Sequence, residues 1–230
     1  MNNNEILIHS LWQIGPLEFT ISTLTSWGIL LCLACVFGLV TRRLNIKPDP
    51  VQNIAEAVVN VAEKAVQEVL PNHYLQLTPF ILSLWLFLIV ANLTGLIPGL
   101  HSPTRDISVT AALAIIVFFS VHWFGIKTQG LKQYLQHYLT PSPVLLPFHI
   151  LSEITRTLAL AVRLFGNMMS LEMVAMLLLF IAGFLVPVPI LMLHIIEALV
   201  QAYIFGMLTL IYIASAIQTQ ETSRQMKQQE

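Results

Sequence analysis

Apolar residues in this chain fall into five long runs, Ile21 to Thr41, Thr78 to Pro98, Ile107 to Gly125, Val144 to Gly183 and Ile190 to Ile217, separated by polar links. A helix rises about 1.5 Å per residue and needs roughly 20 apolar residues to cross about 30 Å of hydrocarbon, so each run is long enough to span a bilayer. The fourth run is too long for one perpendicular crossing. As a continuous helix it would reach about 60 Å, so it must tilt, bend or project beyond the lipid. Phe184 to Pro189, carrying Pro187 and Pro189, reverses the chain, and the last two helices are expected to form a long tilted hairpin. A sixth segment, Val51 to Leu70, has a different period. Ile54, Val58, Val61, Ala62, Ala65 and Val69 lie on one helical face, with Glu56, Asn60, Glu63 and Gln67 on the other, the pattern of an amphipathic helix. The fold class is therefore an all-α polytopic membrane protein with five membrane-embedded helices and one amphipathic helix on the cytoplasmic side. It reads as one domain over 21–217, between an extracytoplasmic leader (1–20) and a cytoplasmic tail (218–230). No internal repeat is visible.

Composition agrees and charge adds an orientation. Of the 230 residues 56% are hydrophobic and 10% charged, against about 25% charged in ordinary soluble domains, which excludes a soluble globule. The formal net charge of -1 offers no basic field to nucleic acid,. Arg42, Arg43 and Lys47 follow the first run, Lys127 and Lys132 the third, and Arg224 and Lys227 the fifth. By the positive-inside rule these ends face the cytoplasm and the N-terminus lies outside. No Lys or Arg precedes the first run, so it lacks the basic region of a cleavable signal peptide and is read as a retained span. In the amphipathic segment Glu56, Glu63 and Glu68 outnumber Lys64. Without a basic face it is expected to pack along the bundle or against a partner rather than float on anionic lipid. Cys32 and Cys35 form a C-x-x-C inside an apolar run with no nearby base, and are read as small packing residues.

The most informative stretch is the fourth run, which carries His149, Glu153, Arg156, Arg163, Asn167 and Glu172 among its apolar residues. An ionisable group at bilayer depth costs about 2.5 kcal/mol or more, so such residues need a reason. Arg163 stands out because a guanidinium, with a pKa above roughly 12, cannot relieve burial by losing its proton. At about 100° per residue Arg156, Arg163, Asn167 and Ser170 share one polar stripe, while Glu172 lies nearly opposite. In the fifth run His194 and Gln201 are seven residues apart and share a face, with Glu197 about 60° away. Ala198, Ala202 and Gly206 repeat every four residues, a spacing of small side chains that lets another helix approach closely. No phosphate loop, nucleophile motif or clustered Cys/His metal ligand set appears, so no metal or cofactor is expected and ATP chemistry is not expected on this chain.

Arg163-Leu-Phe-Gly-Asn-Met168 resembles the signature of subunit a of the F-type ATP synthase membrane sector. Asn92-Leu-Thr-Gly-Leu-Ile-Pro98, Pro103-Thr-Arg-Asp-Ile-Ser-Val-Thr110, and His194 with Gln201-Ala-Tyr-Ile-Phe205 resemble that family's other blocks, in the family's order. The resemblance runs from about Arg42 to Ile217. It implies a non-catalytic stator subunit that holds two aqueous half-channels against a rotating ring of c subunits. The expected partners are that ring, the b-subunit peripheral stalk, the rest of the F1F0 complex, membrane lipid and the translocated proton, with sodium as the alternative ion. The resemblance places Arg163 on the family's essential arginine and Asn167 on the asparagine one turn further. It places Glu172 on an ionisable position of the outer half-channel, Asp106 on an acidic residue of the outer access path, and His194 and Gln201 on polar positions of the last helix. Two positions depart: His149 stands where the family often has an acidic residue, and Thr157 where it has a proline. Glu153 can substitute for the first, and with His149 and Arg156 it makes the candidate cytoplasmic half-channel.

Chemically, a fixed cation favours the ionised form of any carboxylate that passes within about 4 Å, lowering its pKa by about 1 to 3 units. Each candidate also has a structural reading. Arg163 could pair with Glu153 or a backbone carbonyl to hold the bundle. His194, Gln201 and Glu197 could hydrogen-bond neighbouring helices, Asn167 could orient Arg163, and Arg156 could either guide ions or snorkel to the interface. A self-contained secondary transporter with Arg163 binding an anionic substrate is the rival class, and it predicts repeated halves and broken helices.

Overall fold

The computed structural model describes residues 10–14, 17–42, 49–97, 100, 102–130, 146–182 and 187–229. Among these, six helices follow a short hairpin: β1 (Ser10–Ile14), β2 (Leu17–Thr20), α1 (Ile21–Arg42), α2 (Pro50–Val69), α3 (Tyr74–Leu93), α4 (Ile107–Gln129), α5 (Leu146–Ala182) and α6 (Pro187–Gln229). Five of the helices are long and apolar enough to cross a membrane: Ile21–Arg42, Tyr74–Leu96, Ile107–Thr128, Pro147–Ile181 and Pro189–Ile217. The chain is an all-α polytopic membrane protein as the hydropathy pattern requires. The leader adds an element the pattern did not announce, an antiparallel pairing of Ile14 with Leu17 through Ser10 with Thr20, interrupted by an irregularity between Ser10 and Trp12. The segment expected to be a tail continues the last helix, since α6 runs to Gln229. The connector 131–145 and the basic residues Arg43, Lys47 and Lys132 lie outside the described residues.

The bundle is organised around α3, which packs against α6, α2 and α1. Leu84, Phe87, Leu88 and Ala91 of α3 meet Ile29 of α1, Val117 of α4, Leu160 and Leu164 of α5, and Ala202 and Phe205 of α6 in one buried cluster. A second cluster joins Leu77, Ile81 and Trp85 of α3 to Ala62, Val66 and Leu70 at the end of α2 and to Leu210, Ile213, Ala214 and Ile217 of α6. The small-residue repeat on α6 does what its spacing predicts. Ala198 and Ala202 are fully buried, and Gly206 lies under the indole of Trp85, which stacks on Tyr203 at 5.6 Å.

Two helix ends are set by local chemistry. Asp106 is the N-cap of α4, its carboxylate accepting from the Ser108 amide at 2.9 Å, which satisfies one of the donors a helix start leaves open. Gly130 closes the same helix at φ 87°, with its amide bonded to the Ile126 carbonyl, a conformation that side chains disfavour.

Two expectations are corrected. The face of α2 that enters the bundle centres on Ala62 and Val66, while Val51, Ile54, Val58 and Val61 are exposed. The helix is rotated from the orientation its periodicity alone suggested, because α3 and α6 offer a surface that accepts small residues near its C-terminal end. Cys32 and Cys35 are free and exposed on α1 rather than buried in packing. α1 touches the bundle along a narrow stripe and turns Leu24, Trp27, Leu30, Leu31 and Leu39 outward.

Candidate functional site

The candidate residues lie on α5 and α6 and at the short turn Pro103–Arg105, which packs against α5. α5 is one continuous helix of 37 residues and α6 one of 43. Arg163 sits sixteen residues past Pro147 and eighteen before Ile181, at the middle of its span. Its side chain is exposed on the outside of the bundle. Among the described residues it makes neither an ion pair nor a hydrogen bond. The pairing with Glu153 considered above does not form, because Glu153 is directed to α4, where its Oε2 lies 3.3 Å from Nε2 of His122. Ala159, Gly166 and Ser170 are exposed around Arg163, and the space beside Gly166 is open. The surface near the guanidinium is therefore shallow, the shape that admits a second helix at close range.

One turn on, Asn167 is half-buried and donates from Nδ2 to Oε1 of Gln201 at 2.7 Å, tying α5 to α6. Among the described residues, the amide nitrogen of Gln201 and Nε2 of His194 are both buried without a hydrogen-bond partner. His194 and Gln201 are 5% and 2% exposed. A buried polar group without a partner is costly, and such sites are where bound water is expected. His194 borders Gly95, whose missing side chain leaves its imidazole room. Beside Gly95 lies a buried polar chain. Ser102 Oγ lies 2.8 Å from the Ala91 carbonyl oxygen and 2.6 Å from Thr104 Oγ1, which lies 2.8 Å from Oδ1 of Asn92, so two hydroxyl hydrogens serve three contacts; Asn92 donates to the Ala198 carbonyl of α6.

Glu172, on the opposite face of α5, accepts from Arg105 of the turn Pro103–Arg105 at 2.5 Å. It is not joined to His194. Asp106 is occupied as the α4 cap, and Glu197 is half-exposed on α6. On the other half of α5, the exposed Arg156 lies over the Tyr212 ring at 5.5 Å, and His149 is exposed near the helix start. The structure thus brings together Asn167 with Gln201, Glu172 with Arg105, and Glu153 with His122. Arg105 and His122 were missed by sequence reasoning. A signal existed for each, an arginine inside a recognised block and a histidine within an apolar run, but the partners lie 67 and 31 residues away in the chain.

The helices and these groups define a class: an integral membrane protein whose long hairpin carries, at mid-span, a cation unpaired among the described residues, with buried polar groups nearby. The chain matches the family described as ATP synthase A chain over residues 23–214, and it belongs to that family. It is similar to ATP synthase subunit a 2 of Pelobacter propionicus, 58% identical over 221 residues that cover 96% of this chain and 97% of the relative. ATP synthase subunit a of Legionella pneumophila (strain Paris) is 54% identical over 226 residues, 98% of each chain. ATP synthase subunit a 1 of Hahella chejuensis is 60% identical over 206 residues, covering 90% of this chain and 88% of the relative.

Proposed function

We propose that this subunit is the ion-translocating stator of its ATP synthase, with Arg163 as the essential cation facing the c-ring. The observation that carries the reading is an arginine at mid-span that is exposed on the bundle surface and unpaired within the described chain. A cation that cannot be neutralised needs a counter-charge at that depth, and the described residues do not supply one, which supports a counter-charge brought by a partner. The shallow surface at Ala159, Gly166 and Ser170 lets a partner helix bring a carboxylate to it.

A protonated carboxylate arriving within about 4 Å of the guanidinium is driven to release its proton, because the attraction favours the anion. The same positive charge bars a proton from passing straight across. Ions then cross only by riding the ring between two separate access paths. Each proton is driven by about 2.3 kcal/mol per 100 mV of membrane potential. The outer path is supported by His194, Gln201 and the Asn92–Thr104–Ser102 chain, whose unpartnered buried atoms suit water, with Glu172, Glu197 and Asp106 at its margins. The inner path is supported by Glu153, Arg156 and His149. Continuous α5 and α6 tell against the secondary-transporter reading, which needs broken helices around a midplane pocket. The orientation, with the N-terminus outside and the C-terminus in the cytoplasm, rests on the Lys and Arg distribution, and the bacterial relatives favour a plasma (inner) membrane. The b-subunit stalk and the F1 sector are the further partners.

The test is Arg163→Ala in the intact complex reconstituted into vesicles. ATP hydrolysis by the soluble sector should persist while ATP-driven proton uptake is lost. Full retention of coupled pumping would overturn the assignment.

A further inference from the structure

The contact between His122 and Glu153 has a proton count that its geometry fixes. Nδ1 of His122 lies 2.8 Å from the Phe118 carbonyl. A carbonyl only accepts, so Nδ1 carries the hydrogen of that bond. In the neutral ring Nε2 is then a bare lone pair, and it faces Oε2 of Glu153 at 3.3 Å. Two lone pairs repel, so the contact is attractive only when a proton lies between them. It is held either as imidazolium with carboxylate or as imidazole with carboxylic acid. Both forms carry one proton and a net charge of zero. Removing that proton leaves a neutral ring, a carboxylate and a net charge of -1, and the contact opens. The ring is held for this by the Phe118 ring, 4.4 Å between centroids, and both side chains are partly accessible, at 28% and 21%.

We infer that His122 and Glu153 form a one-proton store on the cytoplasmic access path, receiving a proton from Arg163's side of the bundle and giving it to the cytoplasm, or the reverse. Glu153 precedes Arg163 by ten residues, about 15 Å along α5 toward the end assigned to the cytoplasm. The other charged or titratable groups nearby on the same elements are Lys127 of α4, five residues beyond His122, and His149 and Arg156 of α5, with Tyr212 of α6 under Arg156. A cavity of about 580 Å³ borders His122 on the α4 side and is lined mostly by Phe80, Ile116, Phe119, Trp123 and Phe124. That wall is apolar, so protons are exchanged from the α5 side. The inference rests on the stator reading and names the group that serves its inner path.

The experiment uses the whole complex in vesicles with independently buffered inner and outer pH. Two near-isosteric variants keep the contact while removing the shared proton. In Glu153→Gln the amide N–H donates to the Nε2 lone pair, and in His122→Gln the amide N–H donates to the carboxylate. A structural link between α4 and α5 survives both substitutions. The expected result is that each variant assembles and slows ATP-driven proton transport by at least about tenfold, in the manner of a lost proton-transfer group. Its dependence on cytoplasmic-side pH should flatten, and its dependence on outer pH should be unchanged. Wild-type transport with wild-type dependence on cytoplasmic pH in either variant overturns the inference. If His122→Gln does not assemble, Glu153→Gln is decisive by the same readout. Arg163→Ala is measured in parallel. If it still pumps, the stator reading fails; if it does not pump and both Gln variants behave as wild type, only the proton store fails.

Discussion

Replacing Gly206 by Ala adds one methyl group, and the structure says where it goes. A Cβ built on Gly206 falls 1.8 Å from Nε1 of Trp85, 2.3 Å from Cδ1 and 2.8 Å from Cε2. Ordinary contact begins near 3.4 Å, so the indole has to retreat by about 1.6 Å. It cannot do so by rotating freely, because the indole is also stacked on Tyr203 of α6, the helix that carries Gly206, at an interplanar angle of 26°, and turning it away from Gly206 breaks that stacking. The helices α3 and α6 must therefore separate along their main packing surface. Overpacking of this kind costs about 1 to 3 kcal/mol, with a flat ring against backbone at the upper end. Ala is the better helix former by about 1 kcal/mol, which offsets part of it. The net expectation is a loss of about 2 kcal/mol. The separation also shifts Gln201, five residues earlier on α6, away from Asn167. The assay is thermal unfolding of the purified complex in mild detergent, alongside the amount of subunit retained in assembled complexes. Trp85→Phe shortens the ring and should recover much of the loss in the Gly206→Ala background, giving a coupling of about 1 kcal/mol or more in a double-mutant cycle. A Gly206→Ala complex as stable as the wild type, or a loss that Trp85→Phe leaves untouched, would refute the claim that this indole sets the α3–α6 distance.

Two other substitutions separate packing roles from ion-path roles. Asp106→Asn keeps the α4 cap, since Asn caps as well as Asp, whereas Asp106→Ala loses about 1 kcal/mol. If capping is the whole role, thermal unfolding moves only for Ala and proton transport is unchanged for Asn, while an acidic ion-path role is exposed by an Asn variant that assembles but transports slowly. Asn92→Ala removes the acceptor of Thr104 and the donor to the Ala198 carbonyl at a fully buried position. The expected cost is about 2 to 3 kcal/mol from broken hydrogen bonds and a cavity, measured by unfolding of the complex.

Hydropathy is a property of contiguous residues, so the sequence alone determined the five spans, the excess length of the fourth and the presence of Arg163 near its middle. It also determined that α6 carries a small-residue face, because a four-residue spacing is local. Whether Arg163 turns inward or outward was not local. It depends on the rotation of α5, which Leu160, Leu164 and Met168 fix by entering the core at about 100° around the helix from Arg163,. Partner choice was equally non-local. Glu153 and Glu172 are both acids in one apolar run, and only packing directs one to His122 of α4 and the other to Arg105 of the turn Pro103–Arg105. The amphipathic period of α2 announced a stripe, but the stripe is wider than the contact. The surfaces of α3 and α6 took Ala62 from it together with Val66, which lies beside it, and left Ile54 and Val61 outside. A membrane span is chosen by solvent, which acts on each segment separately; the face and partner of each charge are chosen by neighbouring helices, which exist only once the bundle has assembled.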